Sequence, residues 1–209
     1  YFLGIYLGDG TSARTGVIAI STADTEISQH VYAVADNCHM TVRKCIKPGN
    51  LAADYYIRNI KPGNRFHLNH LRTILRDLGL CGLKSGDKFI PRQFKTTSRE
   101  IRAEILAGIL DTDGSLTNNC FDITLKSERL LKDTIFVARS LGLRCTPQHA
   151  KYVYGNPYWR TTISGNTDSI PTRVARKKAS PRRQKKNHLR SGFSISVIGP
   201  SIYYGFTLT

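Results

Sequence analysis

FLGIYLGDG (residues 2–10) and LAGILDTDG (residues 106–114) are two copies of one pattern. Each copy is an apolar run with small residues at fixed places, and each ends in Asp-Gly. The two terminal aspartates, Asp9 and Asp113, lie 104 residues apart along the chain. A repeat at this spacing predicts two similar half-domains, each of which brings one carboxylate to a shared site.

Small residues in both copies predict that the two motif helices pack side by side. Gly4 and Gly8 are four residues apart, and Gly108 and Thr112 hold the same places in the second copy. Small residues at this spacing let two helix backbones approach closely. The helices would then end together, so that their aspartates meet. We expect Gly10 to end the first helix with a left-handed turn.

This arrangement predicts a metal site. Carbonyls at a helix C-terminus carry partial negative charge, and together with two carboxylates they form a set of hard oxygen ligands that suits Mg²⁺. We therefore expect Asp9, Asp113, Gly8 and Thr112 to bind Mg²⁺ (or Mn²⁺), an ion that supports phosphodiester hydrolysis. Asp-Gly is also a common helix stop, but two copies in similar nonamers favour the functional interpretation.

A lysine follows each half of the repeat at a similar place. Residues 88–91 read KFIP, and residues 178–181 read KASP. A lysine beside each metal centre would polarise the attacking water or stabilise charge on the phosphate, so Lys88 and Lys178 are candidate catalytic residues. The KxxP pattern is weak in a chain this rich in lysine, and its symmetric placement is what gives it weight.

The composition favours a polyanionic partner. The 209 residues carry a net charge of +16, which is typical of nucleic-acid binding, although an acidic membrane surface or a merely soluble basic protein is also compatible with it. No run of about 18 apolar residues is present, so we expect no membrane association through a spanning helix. Five cysteines without a CxxC pair predict a reducing, intracellular location, nuclear if the host is eukaryotic. We also expect the chain to be cut from a longer protein, because it opens inside a motif without Met.

The order of predicted elements repeats as α-β-β-α and indicates an α+β fold with mostly antiparallel strands. Apolar periodicity predicts the elements, and Ser98 is a candidate N-cap for the second motif helix. In the first half the helices cover residues 1–8, 24–37 and 66–80, and the strands cover 17–21, 41–47 and 54–60; in the second half the helices cover 99–110 and 128–141, and the strands cover 120–125, 144–152 and 158–164.

The C-terminal part of the chain differs from the repeat. Residues 173–190 hold nine Lys or Arg and no acid, which is typical of a solvated or mobile loop, with a nuclear-localisation or phosphate-binding patch as alternatives. Residues 192–197 and 203–208 alternate like strands and have no counterpart in the first half. We therefore divide the chain into a first half (1–97), a second half that includes the basic loop (98–190), and a separate unit (191–209).

With these residues in view, the chain resembles the LAGLIDADG homing endonucleases. LAGILDTDG is close to the eponymous motif, and FLGIYLGDG departs from it with Leu7 in place of the first aspartate. The resemblance covers about residues 1–190. It implies an αββαββα fold in each half, two saddle-shaped antiparallel sheets over DNA, and two active sites near Asp9 and Asp113. It also implies a monomer that cuts both strands of a long asymmetric site across the minor groove with Mg²⁺ and leaves short 3′ overhangs.

A narrower resemblance is to the intein-encoded members, in particular the vacuolar ATPase intein type of fungi. It includes residues 86–91 (GDKFIP), residues 138–143 (ARSLGL), the KKxxP stretch and residues 203–209 (YYGFTLT). In that group catalytic lysines lie at the positions of Lys88 and Lys178, and YYGFTLT is similar to a strand of the protein-splicing domain. The chain lacks the N-terminal splicing block and a terminal His-Asn, so we do not expect it to splice.

The saddle implies that strand side chains read base edges in the major groove while lysines neutralise phosphates. The alternatives are an inactive DNA-binding relative, an RNA-binding intron maturase on the same scaffold, or a fragment whose original role was splicing. Retention of both aspartates and both candidate lysines favours the enzyme. The candidate DNA-contacting residues are Arg43, Lys44, Lys47, Arg58, Lys61 and Arg65 in the first half and Arg144, Lys151, Tyr154 and Arg160 in the second.

Overall fold

The computed structural model describes residues 1–12, 17–46, 48–60, 69–181, 190, 192–197, 199–202 and 204–205. Its first half contains the α-β-β-α-β-β-α order that the repeat implies, and the α+β class is confirmed. The elements of this half are α1 (Phe2–Asp9), β1 (Gly10–Thr11), β2 (Ile18–Thr22), α2 (Thr25–Asn37), β3 (Met40–Ile46), β4 (Ala53–Asn59), α3 (His70–Asp77) and the short α4 (Arg92–Lys95).

The second half begins with the same α-β-β-α order, but three strands follow its second helix, and two 3₁₀ turns (Thr167–Ser169 and Ala175–Lys177) stand where the first half has α3, so the last helix that the resemblance implies for this half is absent from the described residues. The first sheet runs β1-β2-β4-β3, and the second sheet runs in the equivalent order, with every pairing antiparallel. The Ser98 hydroxyl accepts a hydrogen bond from the Ile101 N–H at the start of the second motif helix, so the predicted N-cap is confirmed. The elements are α5 (Arg99–Asp113), β5 (Gly114–Thr117), β6 (Cys120–Leu125), α6 (Glu128–Ser140), β7 (Arg144–Cys145), β8 (His149–Val153) and β9 (Asn156–Ser164).

The strand expected over residues 144–152 is interrupted. β7 and β8 both pair with β9, but Cys145 lies opposite Ile163 whereas His149 lies opposite Arg160, so the register shifts by one residue between them. Pro147 lies in the interruption. Because proline has no N–H to donate to a ladder, an unbroken strand at this point would have lacked one hydrogen bond.

The helices cover one face of each sheet and leave the other face open. α2 packs against β2, β3 and β4, α6 packs against β6 and β9, and α1 lies alongside α5 at the centre of the molecule. The buried apolar side chains of both halves form one continuous core. Its best buried members include Ile5, Ile20, Leu106, Ile109 and Phe121.

The end of each motif helix has a different cause from the one expected. Gly10 has φ −81° and ψ 150°, and Gly114 has φ −80° and ψ 147°, so both are extended and not left-handed. Instead, each glycine lies against the helix that precedes it. A Cβ on Gly10 would lie 2.5 Å from the Tyr6 carbonyl oxygen, and a Cβ on Gly114 would lie 2.6 Å from the Leu110 carbonyl oxygen. Glycine is needed here because the chain turns from helix into strand without room for a side chain.

Two further expectations differ from the structure. α3 begins at His70 with Asn69 as its N-cap, where the Asn69 side chain accepts from the Arg72 N–H; residues 66–68 lie outside the described part. The strand expected at residues 192–197 is wrong, because these described residues are exposed and form no strand. Only residues 204–205 of the strand expected at 203–208 are described, and they are not in a strand. The proposed boundaries of the three units stay a prediction.

Candidate active site

The two motif helices touch along their small residues. A Cβ on Gly108 would lie 2.5 Å from the Tyr1 carbonyl oxygen and 2.8 Å from the Ile5 nitrogen. A Cβ on Gly4 would collide with the Ile105 carbonyl oxygen and lie 2.8 Å from the Gly108 Cα. The backbones therefore approach so closely that no side chain fits between them, as the spacing of small residues predicts.

This contact brings the two aspartates together. Asp9 and Asp113 are the last residues of α1 and α5, and a Cβ on Gly8 would lie 2.8 Å from the Asp113 Oδ2. Burial, followed by the negative charge of Asp9, raises the pKa of Asp113 to about 6. Burial also raises the pKa of Asp9, against the opposing charges of Lys88 and Lys177. Two crowded carboxylates of this kind favour a cation between them.

Lys88 lies at the end of α1 with its ammonium group enclosed. Its Nζ donates to the carbonyl oxygens of Tyr6 at 3.0 Å, Gly8 at 3.0 Å and Gly10 at 2.7 Å. The side chain is 4% exposed. Burial lowers the pKa of Lys88 to about 8, and the negative charges of Asp113 and Asp9 oppose this shift. The lysine thus fixes the backbone that ends in Asp9 while it remains next to both carboxylates.

The equivalent lysine of the second half is Lys177. Its buried Nζ donates to the carbonyl oxygens of Leu110 at 3.1 Å, Asp111 at 2.6 Å and Thr112 at 3.0 Å. Burial, as the largest cause, lowers its pKa.

Lys178, the residue predicted from the KxxP pattern, is exposed. The expected placement of Lys178 is therefore wrong by one residue. The cause is the 3₁₀ turn at Ala175–Lys177, which directs the first lysine of the KK pair inwards and leaves the second in solvent. The sequence carries a signal for this alternative, because two adjacent lysines leave open which one faces the motif helix.

The carbonyl oxygens expected to bind metal are within reach of the site but are already hydrogen-bonded. Gly8 O accepts from Lys88 and Thr112 O accepts from Lys177, while the Thr112 hydroxyl donates back to the Gly108 and Ile109 carbonyls. A carbonyl oxygen has two lone pairs, so a lysine contact leaves one available. Among the described residues no group of three or more His, Cys, Asp or Glu side chains could hold a metal, so the candidate ligands are two carboxylates and backbone oxygens.

A cavity of about 590 Å³ opens beside Asp9. Its lining includes Lys88 and, from residues that sequence reasoning had not singled out, Arg72, Lys84 and Ser85. A volume of this size is in the range of small-molecule and cofactor sites. The cavity therefore gives access from solvent to the carboxylate of the first half.

The predicted DNA-contacting residues of the first half do not all lie on the open face of the first sheet. Arg43 lies opposite Tyr56 in the β3–β4 ladder, and Arg58, two residues after Tyr56, is on the same face. The Arg58 guanidinium lies 5.7 Å from the Tyr56 ring centre. Lys44 lies opposite Tyr55 and stacks over its ring, so it points to the helix-covered face, although it is exposed at the edge. Lys47, Lys61 and Arg65 lie outside the described residues.

The open face of the second sheet gathers more of its predicted residues. The pairings of β9 with β7 and β8 put Arg144, Lys151 and Arg160 on one face. The Arg160 guanidinium forms an ion pair with Asp122 at 3.2 Å on the same face. Tyr154 lies in the turn between β8 and β9, has φ 47°, and is fully exposed.

Comparisons with known proteins bear on the family and on the fold. Residues 89–189 match the family model described as homing endonuclease. The solved structures of the homing endonuclease I-DmoI superpose on this chain. A structure of its mesophilic variants has a TM-score of 0.53 at 16% identity and covers 78% of this chain and 86% of the other. Its complex with DNA and Mn has the same TM-score and identity and covers 78% and 87%.

The fold is that of the LAGLIDADG homing endonucleases. Both LAGLIDADG motifs form the central helices, and both sheets lie with one face open. In the part of the chain that the structure describes, no helix is long and apolar enough to cross a membrane.

This chain is also similar to part of a much longer curated relative. The replicative DNA helicase DnaB of Mycobacterium intracellulare is 31% identical over 146 residues. The match covers 69% of this chain but 19% of the helicase. This chain thus corresponds to a small part of that relative's length.

Residues near the LAGLIDADG helices that sequence reasoning missed form a network around Asp111. The Tyr1 hydroxyl donates to Asp111 Oδ2 at 2.6 Å, and the Arg173 N–H donates to the same oxygen at 2.7 Å. The Arg173 guanidinium stacks over the Tyr1 ring at 3.9 Å and pairs with Glu104 at 3.0 Å. The one signal in the sequence is the second motif itself, where Asp111 replaces the Leu7 of the first copy.

Proposed function

We propose that this chain is a site-specific double-strand DNA endonuclease that hydrolyses phosphodiester bonds with a divalent metal ion. The observation that carries the proposal is the meeting of Asp9 and Asp113 at the ends of two close-packed helices, with Lys88 and Lys177 each enclosed at one of those ends. The homing endonuclease family match and the LAGLIDADG fold support the same chemistry.

The carboxylates of Asp9 and Asp113 and the carbonyl oxygens of Gly8 and Thr112 would hold Mg²⁺ (or Mn²⁺). The ligand chemistry fits, because all are hard oxygens. Burial is the main cause of the raised pKa of both aspartates, and a bound cation would stabilise these buried carboxylates in their charged form. A bound divalent ion supplies stabilisation of the phosphoryl oxygens and an activated water. The protein supplies the fixed positions of the ligands.

The lysines contribute positive charge at the site. Lys88, with its pKa lowered to about 8, is still largely cationic at neutral pH. Both ammonium groups lie at helix C-termini, where the helix dipole favours a cation. Charge fixed next to a scissile phosphate stabilises the transition state without reorganisation. Lys178, exposed one residue away, would act at most on the DNA backbone.

The open sheet faces would bind the DNA. Arg43 and Arg58 on the first sheet, and Arg144, Lys151 and Arg160 on the second, share the polar faces opposite the helices. Two such faces, one from each half, suit a long asymmetric target, and one chain supplies both catalytic ends, so we propose that it acts as a monomer. We propose an intracellular location, nuclear in a eukaryotic host.

We also propose an intein origin. This chain has the fold of a homing endonuclease, and its match covers 19% of a replicative helicase. An element inserted into a host protein would produce this combination. The narrower resemblance to fungal inteins stays a prediction, and so does the assignment of residues 203–209 to a splicing-domain strand.

The test is selection of cut sites from a randomised library of long DNA duplexes with Mg²⁺, with an Asp9→Ala/Asp113→Ala double variant as control. We expect ends that share one sequence context and one overhang, absent from the control. If the same DNA ends appear in the wild-type and control samples, they come from a contaminating nuclease, and the result contradicts the proposal. Retention of one sequence without any ends would support the alternative, a catalytically inactive binding protein, and an RNA pool run in parallel would identify a maturase-like preference.

A further inference from the structure

Lys88 and Lys177, the two lysines enclosed at the ends of the motif helices, each lie on a segment that the other half of the molecule holds. The segment that carries Lys88 crosses to α6 of the second half. The Ser127 hydroxyl, which is the N-cap of α6, donates to the Lys88 carbonyl oxygen at 2.7 Å. The next residue, Phe89, lies under the guanidinium of Arg129 at 3.9 Å from the ring centre. Consecutive residues of the lysine segment are therefore attached to consecutive parts of α6.

Asp133 completes this attachment. Its Oδ2 accepts from the Ile90 N–H at 3.0 Å, and its Oδ1 accepts from the Lys95 ammonium at 2.5 Å. The Asp133 side chain is buried, so its bond to the Ile90 N–H is sheltered from water, while the ion pair with the partly exposed Lys95 is half-buried. The Asp133 carboxylate thus holds the chain on both sides of Pro91. Before Pro91 it binds Ile90, two residues after Lys88, and after Pro91 it binds Lys95 at the end of α4.

The second lysine segment is held at equivalent positions of α2, in the first half. His30 and Asp133 are both the sixth residue of their 13-residue helices. The Arg173 guanidinium contacts the His30 Nδ1 at 2.5 Å. Burial, and then the charge of Arg173, lower the pKa of His30 to about 4, so a neutral ring accepts this bond.

The N-terminal ends of the two helices also correspond. The N-cap of α2, Asp24, accepts from the Arg176 guanidinium at 2.7 Å, as the N-cap Ser127 contacts the Lys88 segment. Glu26 Oε1 accepts from the Ala175 N–H at 2.9 Å. The two attachments differ in burial: Asp133 is enclosed, whereas the Arg176 and Glu26 contacts are exposed.

We propose that Asp133, in the second half, is a positioning residue for Lys88 of the first half. This inference rests on the proposed function for its effect on cleavage, but its structural content does not. Asp133 does not contact the carboxylates; it acts through the backbone of Ile90 and through Lys95. A small displacement of a catalytic group is enough to slow a reaction strongly, so loss of Asp133 would weaken the site that depends on Lys88.

The first test measures the position of Lys88 without any DNA. The full chain is treated with acetic anhydride at low dose, and acetylation of each lysine is followed by mass spectrometry in wild type, Asp133→Ala and Asp133→Asn. Loss of both hydrogen bonds should raise the acetylation rate of Lys88 by roughly tenfold or more. Asp133→Asn keeps an acceptor for Ile90 and loses the ion pair with Lys95, so it should lie between the two.

The chain provides matched controls for this measurement. Glu128→Ala removes one acid from the same helix at a partly exposed position, where Glu128 pairs with Lys132 and accepts from Gln148 but does not contact the Lys88 segment, and should leave Lys88 protected. Lys177 reports on global unfolding, because it is buried at the other motif helix. Exposure of Lys177 together with Lys88 would mean loss of the fold, and the Asp133→Asn variant would then be compared in its place. Protection of Lys88 at the wild-type level in both Asp133 variants would overturn the proposal.

The second test uses single-turnover cleavage of a duplex with each strand labelled separately, on the target found by library selection. Asp133→Ala should slow the two strands unequally, by roughly 10- to 100-fold on the more affected strand, and in the same ratio as Lys88→Met. Glu26→Ala should follow the opposite ratio, that of Lys177→Met. If Asp133→Ala slows cleavage of both strands equally, or gives the strand ratio of Lys177→Met, the result would count against positioning by Asp133. If wild type cuts no DNA but Lys88 becomes reactive in Asp133→Ala, the nuclease proposal fails and the positioning role stands.

Discussion

The two motif helices follow the same path but differ at one buried position. Leu7 in α1 is 1% exposed and belongs to the apolar core. Asp111, at the equivalent place in α5, is fully buried and accepts hydrogen bonds from the Tyr1 hydroxyl and the Arg173 N–H through one carboxylate oxygen. A leucine and an aspartate thus occupy equivalent places because the second place has two donors for one oxygen of the carboxylate, Oδ2.

This difference shows which positions of the two motifs must keep the same role in both halves. The glycine contacts and the lysine contacts to helix-end carbonyls occur in both halves, since they determine where Asp9 and Asp113 meet. The residue two positions before each of these aspartates is free to change, provided that the surroundings change with it. In the second half Asp111 also takes part in holding the segment that leads to Lys177, whereas Leu7 does nothing comparable for Lys88.

The largest effect on stability is expected from Leu7→Asp. This variant copies the second motif into the first without supplying the donors that Asp111 has, so it buries an uncompensated carboxylate. Such a charge typically costs about 3–5 kcal/mol. Urea unfolding followed by circular dichroism would measure the loss of unfolding free energy.

The control for this variant is Leu7→Met, which keeps the volume and apolar character and should cost less than about 1.5 kcal/mol. A loss below about 1 kcal/mol in Leu7→Asp would mean that water or a donor reaches this position. The two motif helices would then be less different than the structure indicates.

The next effect concerns the two adjacent lysines of the second half. Lys177→Met should lower the single-turnover cleavage rate by roughly 100- to 1000-fold, as removal of one fixed charge-stabilising group commonly does. Lys178→Met should leave the rate within about twofold, because its side chain is exposed and does not touch the α5 carbonyls. The two rates would be measured on the same target with saturating enzyme.

This pair of variants separates the structure from the KxxP pattern. A large loss of cleavage rate in Lys178→Met, with little change in Lys177→Met, would mean that Lys178 is the functional lysine, as the KxxP pattern predicts. It would also remove the correspondence between Lys88 and Lys177.

A smaller effect on stability is expected at the contact between the helices. Gly4→Ala places a methyl group against the backbone of Ile105 and Gly108, and overpacking of this kind typically costs about 1–3 kcal/mol. Gly86→Ala is the matched control, since the nearest atom to a Cβ there is the flexible Lys126 side chain at 3.8 Å. Melting temperatures compared with this control would measure the effect. Equal stability of the two variants would show that the helices lie further apart than described.

Much of the fold was predictable because its signals are local. The Gly4/Gly8 and Gly108/Thr112 spacing predicted the close helix pair, and Ser98 predicted the start of α5. The short strands β1 and β5 were not predicted, since two and four residues carry too little periodicity. Residues 192–197 alternate as a strand does but form no strand in the part of the chain that the structure describes, because alternation by itself is a weak predictor of a strand.

The site was less predictable because its contacts join distant parts of the chain. Asp9 and Asp113 were found through the repeat, which is a sequence signal. Lys177 depends on the phase of one 3₁₀ turn, and Asp133 depends on a contact across 43 residues with Ile90. Lys44 differs from these cases, because strand alternation alone indicates that the residue next to Arg43 points to the other face.

The smallest expected effect compares the open faces of the two sheets. Arg58 stacks on Tyr56, a neutral neighbour, whereas Arg160 is already paired with Asp122. If both faces bind DNA, Arg58→Gln should reduce the slope of log binding constant against log salt by up to about 0.9, the value for one neutralised phosphate. Arg160→Gln should reduce the slope by less, because Asp122 competes with the phosphate for the guanidinium. Fluorescence anisotropy between low and moderate salt would measure both slopes. A larger change for Arg160 than for Arg58 would mean that the ion pair opens on binding, and that the second sheet contributes charge as fully as the first.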